Sequence, residues 1–179
     1  RHFADPTIGC VAGNQCYQRF QTRGATDSGE RGYWNLDRLM KIWQSVSGNA
    51  TSATGAIYAL RASLFRTVPE GVTDDFVTST RAVAQGFRLV FDVEAKCYEP
   101  VAAKVGSEFR RKTRVITRGL NAVWTMRELM NPRRHGFYAI QIASHKVLRR
   151  LVVLPLILMA ITTPLLWNAS VGYRVFAVL

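Results

Sequence analysis

Val68-Pro69-Glu70-Gly71-Val72-Thr73-Asp74-Asp75-Phe76-Val77-Thr78-Ser79-Thr80-Arg81 is the stretch on which the reading of this chain turns. Pro69 and Gly71 mark a loop, and Thr73 is a good helix N-cap. Asp74 and Asp75 follow in the first turn, where the helix dipole favours negative charge. Phe76, Val77, Thr80, Val83 and Ala84 line one side at helical spacing. Gly86 suits the position just past a helix end. The spacing therefore predicts a helix over 73–85, with a strand at Arg88–Asp92 and an extended continuation from Ala95 to Glu99.

Upstream, Asp5-Pro6 reads as a turn and Ile8–Ala12 as a short strand ended by Gly13-Asn14. Residues 15–32 read as a loop or edge strand. Tyr33–Val46 follows helical spacing and is closed by Ser47-Gly48-Asn49. Thr54–Leu60 is small and apolar, suited to a close-packed strand or turn, and Arg61–Phe65 starts another short element. Downstream, a basic helix is predicted within 110–130, stopped at Asn131-Pro132.

Charge and hydropathy divide the chain unevenly. The formal charge is +12, and all twelve acids precede Leu129. Such a charge favours polyanions: nucleotide diphosphates, anionic lipid or nucleic acid. Nucleic acid is the weakest of these, because no helix-turn-helix, zinc-finger or RNP-type pattern accompanies the charge. Residues 136–150 read as an interfacial helix, with Phe137, Ile140, Ala143, Val147 and Leu148 opposite Lys146 and Arg149. His145 is placed on its polar face. Leu151–Trp167 is an uncharged run at the lower limit for a bilayer span. The bases before it put the preceding domain in the cytoplasm. Cys10, Cys16 and Cys97 are an odd set without Cys-x-x-Cys spacing, so free thiols are expected and a zinc site is not.

Asp74 and Asp75 carry the first chemical reading. A carboxylate at an exposed helix tip can accept a proton from a hydroxyl, and the dipole helps keep it ionised. Dipole stabilisation without catalysis explains the same pair.

The order of four segments resembles the acceptor half of membrane-bound family 2 glycosyltransferases of the cellulose, hyaluronan or poly-N-acetylglucosamine synthase type. Thr73-Asp74-Asp75 is similar to their Thr-Glu-Asp motif, with Asp74 in place of Glu. The resemblance makes Asp75 the general base. Thr54-Gly55-Ala56-Ile57-Tyr58-Ala59-Leu60-Arg61 resembles the segment lining the acceptor sugar, so Thr54, Gly55, Ala56 and Thr73 are expected acceptor-site residues. Glu108–Gly119 occupies the place of the Gln-x-x-Arg-Trp motif, without its aromatic residue. Arg111 and Arg114 are the expected diphosphate partners, since guanidinium recognises phosphate bidentately. The family holds Mg or Mn on an Asp-x-Asp motif, and no Asp-x-Asp occurs here. Phe3–Val11 resembles the family segment just after that motif, so the metal ligand is expected upstream of Arg1. Both ends of the chain look cut.

The resemblance implies an α/β fold, the C-terminal half of a GT-A domain, followed by an interfacial helix and a transmembrane helix. The expected divisions are 1–132 (partial catalytic domain), 133–150 (interfacial helix), 151–168 (span) and 172–179 (start of a second span). It implies inverting transfer of a hexosyl unit from a nucleotide sugar, a UDP-sugar, to a polysaccharide acceptor. The site would be a cytoplasmic domain of a multi-pass membrane protein, against a lipid bilayer and without nucleic acid. The 179 residues alone are expected to be inactive. The rival reading is a basic, membrane-anchored binding module for anionic lipid or polyanion.

Overall fold

The computed structural model describes residues 1–18, 25–100 and 105–165. The elements are β1 (Ile8–Gln18), α1 (Ala25–Ser47), β2 (Tyr58–Leu60), α2 (Asp74–Ala84), β3 (Arg88–Pro100) and α3 (Val105–Thr125). Four short or bent helices follow: α4 (Pro132–His135), α5 (Phe137–Ile142), α6 (Arg149–Leu151) and α7 (Val153–Leu165). A π-helical turn, Ala143–Leu148, joins α5 to α6. This is a mixed α/β fold on a small sheet of order β2-β1-β3, with β1 antiparallel to β2 and parallel to β3.

β1 does not end at Gly13-Asn14 as the turn signal predicts; it runs on to Gln18. Two register breaks explain the glycines. Ile8 pairs with Arg88 but Cys10 with Leu89, so Gly9 is an extra residue in β1. A Cβ there would lie 2.6 Å from Phe87 Cβ. Gly13 pairs with Asp92 but Asn14 with Lys96, so Val93, Glu94 and Ala95 bulge from β3. A Cβ on Gly13 would meet Ile57 and the Ala95 carbonyl at 2.6 and 2.7 Å. Asn14 is buried and donates its amide to the Val93 carbonyl across the bulge, at 3.1 Å. Close approach, not chain reversal, is what these glycines serve. The segments read as Arg88–Asp92 and Ala95–Glu99 are accordingly one bulged strand.

α2 forms where predicted. Its end is a Schellman motif: Gly86 N–H donates to Val83 O and Phe87 N–H to Ala82 O, both at 3.0 Å. Gly86 has φ +86°, a left-handed conformation. Gly86→Ala is expected to destabilise the fold by about 1–2 kcal/mol, measured by chemical denaturation. Thr73 occupies the N-cap, but its hydroxyl makes no cap bond. α1 begins at Ala25, eight residues before the predicted start.

The core gathers Cys10, Leu89, Val77, Ala82, Met126, Leu129, Tyr138 and Ile142 between sheet and helices. All three cysteines are free, and burial pushes the Cys10 thiol up to about 12. α2 is buried over Phe76–Thr80 because it packs on both the sheet and α3. Arg61, read from the sequence as the end of the acceptor segment, is a structural tie. Its guanidinium donates to the carbonyls of Phe3, Asp5 and Ile8 and pins the N-terminal segment to β2.

The C-terminal region departs from the sequence reading at Lys146. Tyr138, Ala139, Gln141 and Ile142 pack inward, while Phe137, Ile140 and Leu148 are exposed. Part of the predicted apolar face is therefore outward while Val147 packs against the core, and Lys146 does not lie opposite that face in solvent. The π turn rotates it toward α2, where its Nζ sits 5.4 Å from the Phe76 ring centroid. Within the expected span 151–168, residues 153–165 form one helix, α7. Phe137–Leu151 and Val153–Leu165 meet at a 42° bend. Pro155 explains the bend, because its ring clashes with the carbonyl four residues earlier, that of Leu151. Among the described residues no single helix is long and apolar enough to cross a membrane; this bent pair meets the length and composition together. Trp167 and the start of the second span at 172–179 lie outside the described residues.

Candidate active site

Asp75 sits where three segments meet. α2 supplies it from its first turn, and its Oδ1 accepts the Phe76 N–H at 2.7 Å. Opposite stands a turn bridged between Thr54 and Ile57, with Gly55 and Ala56 at its tip. A Cβ placed on Gly55 would lie 3.5 Å from Asp75 Oδ2, an ordinary van der Waals contact that puts the turn directly against the carboxylate. The third segment is the π turn that carries Lys146.

These positions are fixed by buried polar contacts. Ser79 Oγ donates to the Asp75 carbonyl at 2.7 Å and accepts the Ala53 N–H at 3.1 Å, tying α2 to the turn. Gln44 Oε1 accepts both the backbone N–H and the hydroxyl of Thr51. Tyr138 donates its buried hydroxyl to the Thr51 carbonyl at 3.0 Å. Ala50 N–H donates to Leu89 O, and Asn49 Oδ1 accepts the Leu89 N–H. The loop before Gly55 is therefore clamped by α1, α5 and β3 together.

Burial raises the Asp75 carboxyl above the ordinary aspartate value, against the lowering effects of the Phe76 N–H and of Lys146. Burial lowers Lys146 to about 8, and neighbouring Lys41 and Arg150 push the same way. Asp74, by contrast, is exposed. Tyr58, at the start of β2, has its phenol raised by burial and feels both Asp74 and Asp75. Thr54 and Thr73 each have a buried hydroxyl without a hydrogen-bond partner among the described residues. Both belong to the segments that flank Asp75, and buried polar groups without partners call for an explanation.

Beside Asp75 lies a cleft floored by the ion pair Lys41–Asp37 (2.8 Å) and walled by Gln44, Thr51, His145, Lys146 and Arg149. It continues past Lys41 toward Thr54 and Asn14. His145 faces this cleft and lies 3.4 Å from the Gln44 amide, not on an outer polar face. A second, larger groove of about 530 Å³ runs along α3, lined by Arg110, Arg114 and Arg118 against Gly71. The structure thus brings Thr54, Gly55, Ala56, Thr73, Asp74 and Asp75 together. It places Arg114 in the α3 groove and Arg111 on the exposed face of the same helix.

The family model for glycosyl transferase family group 2 matches residues 1–179. The chain belongs to that family. The family is one of glycosyltransferases, and the fold it is found on here is mixed α/β with a small sheet. Among solved structures, the chain is similar to the mannosyltransferase PcManGT from Pyrobaculum calidifontis, in complex with GDP-Man and Mn²⁺. Identity is 18% and the TM-score 0.48, over 98% of this chain and 51% of that one. The chain thus spans about half the length of that enzyme. No curated protein matches the sequence.

A divalent metal is expected in this glycosyltransferase family, but the described residues do not fit one. No three His, Cys, Asp or Glu side chains among them converge. His2 and Asp92 form a pair at 2.8 Å with no third ligand. No step of the proposed reaction runs through a metal.

One residue of the candidate site escapes sequence reasoning. A regular helical wheel turns Lys146 outward, and the π turn breaks that wheel. Tyr58 falls within the segment that the resemblance marks as lining the acceptor, though it is not singled out there. A signal for Lys146 is nonetheless present: a lysine-arginine cluster, Lys146-Val147-Leu148-Arg149-Arg150, immediately before the apolar run.

Proposed function

We propose that the chain is the acceptor half of an inverting hexosyltransferase, acting on a nucleotide sugar and a polysaccharide at a membrane. The observation that carries this is Asp75. It is a partly desolvated carboxylate at a helix tip, faced by a glycine turn and flanked by two unpartnered threonine hydroxyls. Removing the acceptor hydroxyl proton requires a base held within hydrogen-bond reach of it. The acceptor oxygen attacks the anomeric carbon as the bond from that carbon to the diphosphate oxygen breaks. The proton passes to Asp75, and the departing nucleoside diphosphate carries away the negative charge. Thr54 and Thr73 hold the acceptor hydroxyls, and Gly55 and Ala56 shape the floor beneath it.

The leaving diphosphate needs cations beside the base. Lys146 and Lys41 serve it ahead of Arg111 and Arg114. Lys146 and Asp75 lie close enough to shift each other's ionisation, whereas Arg114 opens onto the other groove. The donor is taken to be a UDP-sugar, with Mg or Mn held by an Asp-x-Asp outside this sequence.

Membrane attachment is supported by α7. Leu154, Leu156, Ile157, Leu158, Ile161 and Leu165 are all exposed, an apolar surface that water does not tolerate for long. The basic residues before this helix support a cytoplasmic catalytic domain in a multi-pass protein. The test is transfer of radiolabelled sugar from UDP-sugars with Mn²⁺ by the intact protein in membranes. Absence of transfer and of nucleotide hydrolysis across the donor panel would sink the reading. Turnover by these 179 residues alone would refute their expected inactivity.

A further inference from the structure

The reaction proposed at Asp75 draws first on Lys146 and Lys41 and does not account for a row of cations on α3. Arg110, Arg114 and Arg118 recur every fourth residue and line one groove against the loop at Gly71. All three are exposed, and among the described residues none has a carboxylate within ion-pair distance. The side chain of Asn121 ties α3 to this loop by donating to the Gly71 carbonyl at 3.2 Å. The groove is not isolated. Gly71 and Arg118 also line an adjoining cleft that includes Glu70 and Asp74, the neighbour of the base.

We infer that this groove is a subsite for an acidic acceptor: a linear glycan with carboxylates or phosphates along its length, its neutral end directed past Arg118 toward Asp75. The inference rests on the transferase reading and names its acceptor class.

Three features select that ligand. Steps of four residues advance roughly 6 Å each along a helix, so the three guanidiniums form a row and do not converge. A row matches charges repeated along a chain; a single phosphate would want the arginines gathered on one point. At Arg118 the groove meets the adjoining cleft lined by residues 68–72, which gives an extended chain a continuous path off the helix. The charge also changes along it. Glu70 and Asp74 stand at the Arg118 end and repel an anion there, which leaves that end for an uncharged sugar hydroxyl.

The experiment measures binding, so it does not depend on turnover. Fluorescent hexagalacturonate and neutral maltohexaose are titrated against the full chain in neutral detergent. The proteins are wild type, the triple Arg110→Gln/Arg114→Gln/Arg118→Gln variant, and the triple Arg→Lys variant. Vesicles of phosphatidylglycerol and of phosphatidylcholine form a separate arm. The expected result is salt-sensitive binding of hexagalacturonate, weakened at least tenfold by the Gln triple and largely kept by the Lys triple. Maltohexaose should not bind, and vesicle binding should be the same for wild type and Gln triple. Three outcomes overturn the inference: no hexagalacturonate binding by wild type, equal binding by the Gln triple, or equal binding of maltohexaose. Loss of phosphatidylglycerol binding in the Gln triple would overturn it in favour of a lipid-facing helix. Asp75→Asn should bind hexagalacturonate as wild type does. If that variant still transferred sugar while the Gln triple lost the glycan, the base assignment would fail and the groove would stand.

Discussion

Asp75→Asn in the intact protein is expected to cut sugar transfer by about 10²- to 10⁴-fold, the usual contribution of a positioned base. The amide keeps the shape and can still accept the Phe76 N–H, which Asp75 Oδ1 now receives at 2.7 Å. What it loses is the ability to take a proton. Stability should not fall with activity, and the sign can be worked out. Burial raises the folded-state carboxyl above its unfolded value. A group with a raised folded pKa stabilises below its unfolded pKa, and that contribution is lost as pH rises through the folded one. At neutral pH the ionised Asp75 is therefore a cost to the fold, and asparagine removes it. Thermal melting should show an unchanged or slightly higher midpoint. The measurement is initial transfer rate beside vesicle co-sedimentation. Loss of transfer with intact membrane binding separates an enzyme from a basic membrane-anchored module; an unaltered transfer rate would exclude Asp75 as the base.

Much of this site is legible in the sequence because helix ends obey local chemistry. Thr73, the two acids and Gly86 place α2 from sequence alone, and the Schellman bonds bear that out. The approach of Gly55 to Asp75 is legible only through the resemblance, since nothing local links a turn to a helix tip twenty residues on. Gly13-Asn14 misleads for a definite reason. A turn and a bulge both want glycine, and only the partner strand, three residues longer at Val93–Ala95, distinguishes them. The helix ending at Ser47 is recognisable, but its first turns carry polar and glycine residues that propensity disfavours. The apolar run after Arg150 is plain in the sequence, and residues 153–165 of it form one helix. Pro155 is tolerable in a span, and the 42° bend lies just before it, where the run meets the preceding helix.

The inward turn of Lys146 is the least legible feature, and Lys146→Met is expected to have the second-largest effect. Transfer at neutral pH should fall roughly 10²-fold, as when one preorganised donor to a developing charge is lost. The pH profile separates this from a structural defect. The groups facing Lys146 are Asp75 from α2, Asp37 and Lys41 from α1, and Arg150 from its own segment. Burial lowers its ammonium to about 8, so wild-type kcat/KM should decline on the alkaline side near that pH. In Lys146→Met that alkaline limb should vanish. The acid limb should move upward, because the cation that lowers the Asp75 carboxyl is gone. Stability should change in the opposite sense to activity. A lysine with a folded pKa below its unfolded value is a cost while charged, and the cost fades as pH rises through about 8 toward the unfolded value. Methionine is similar in length and keeps contact with Phe76, so the variant should melt at the same temperature or higher at pH 7. Lys146→Arg should restore part of the rate and, titrating far above 8, should leave no alkaline limb in that range. A Lys146→Met enzyme whose two pH limbs both stayed in place would show that the charge acts on neither the base nor the leaving group. The π turn would then need another reason for carrying a lysine inward at the point where the helix bends toward α7.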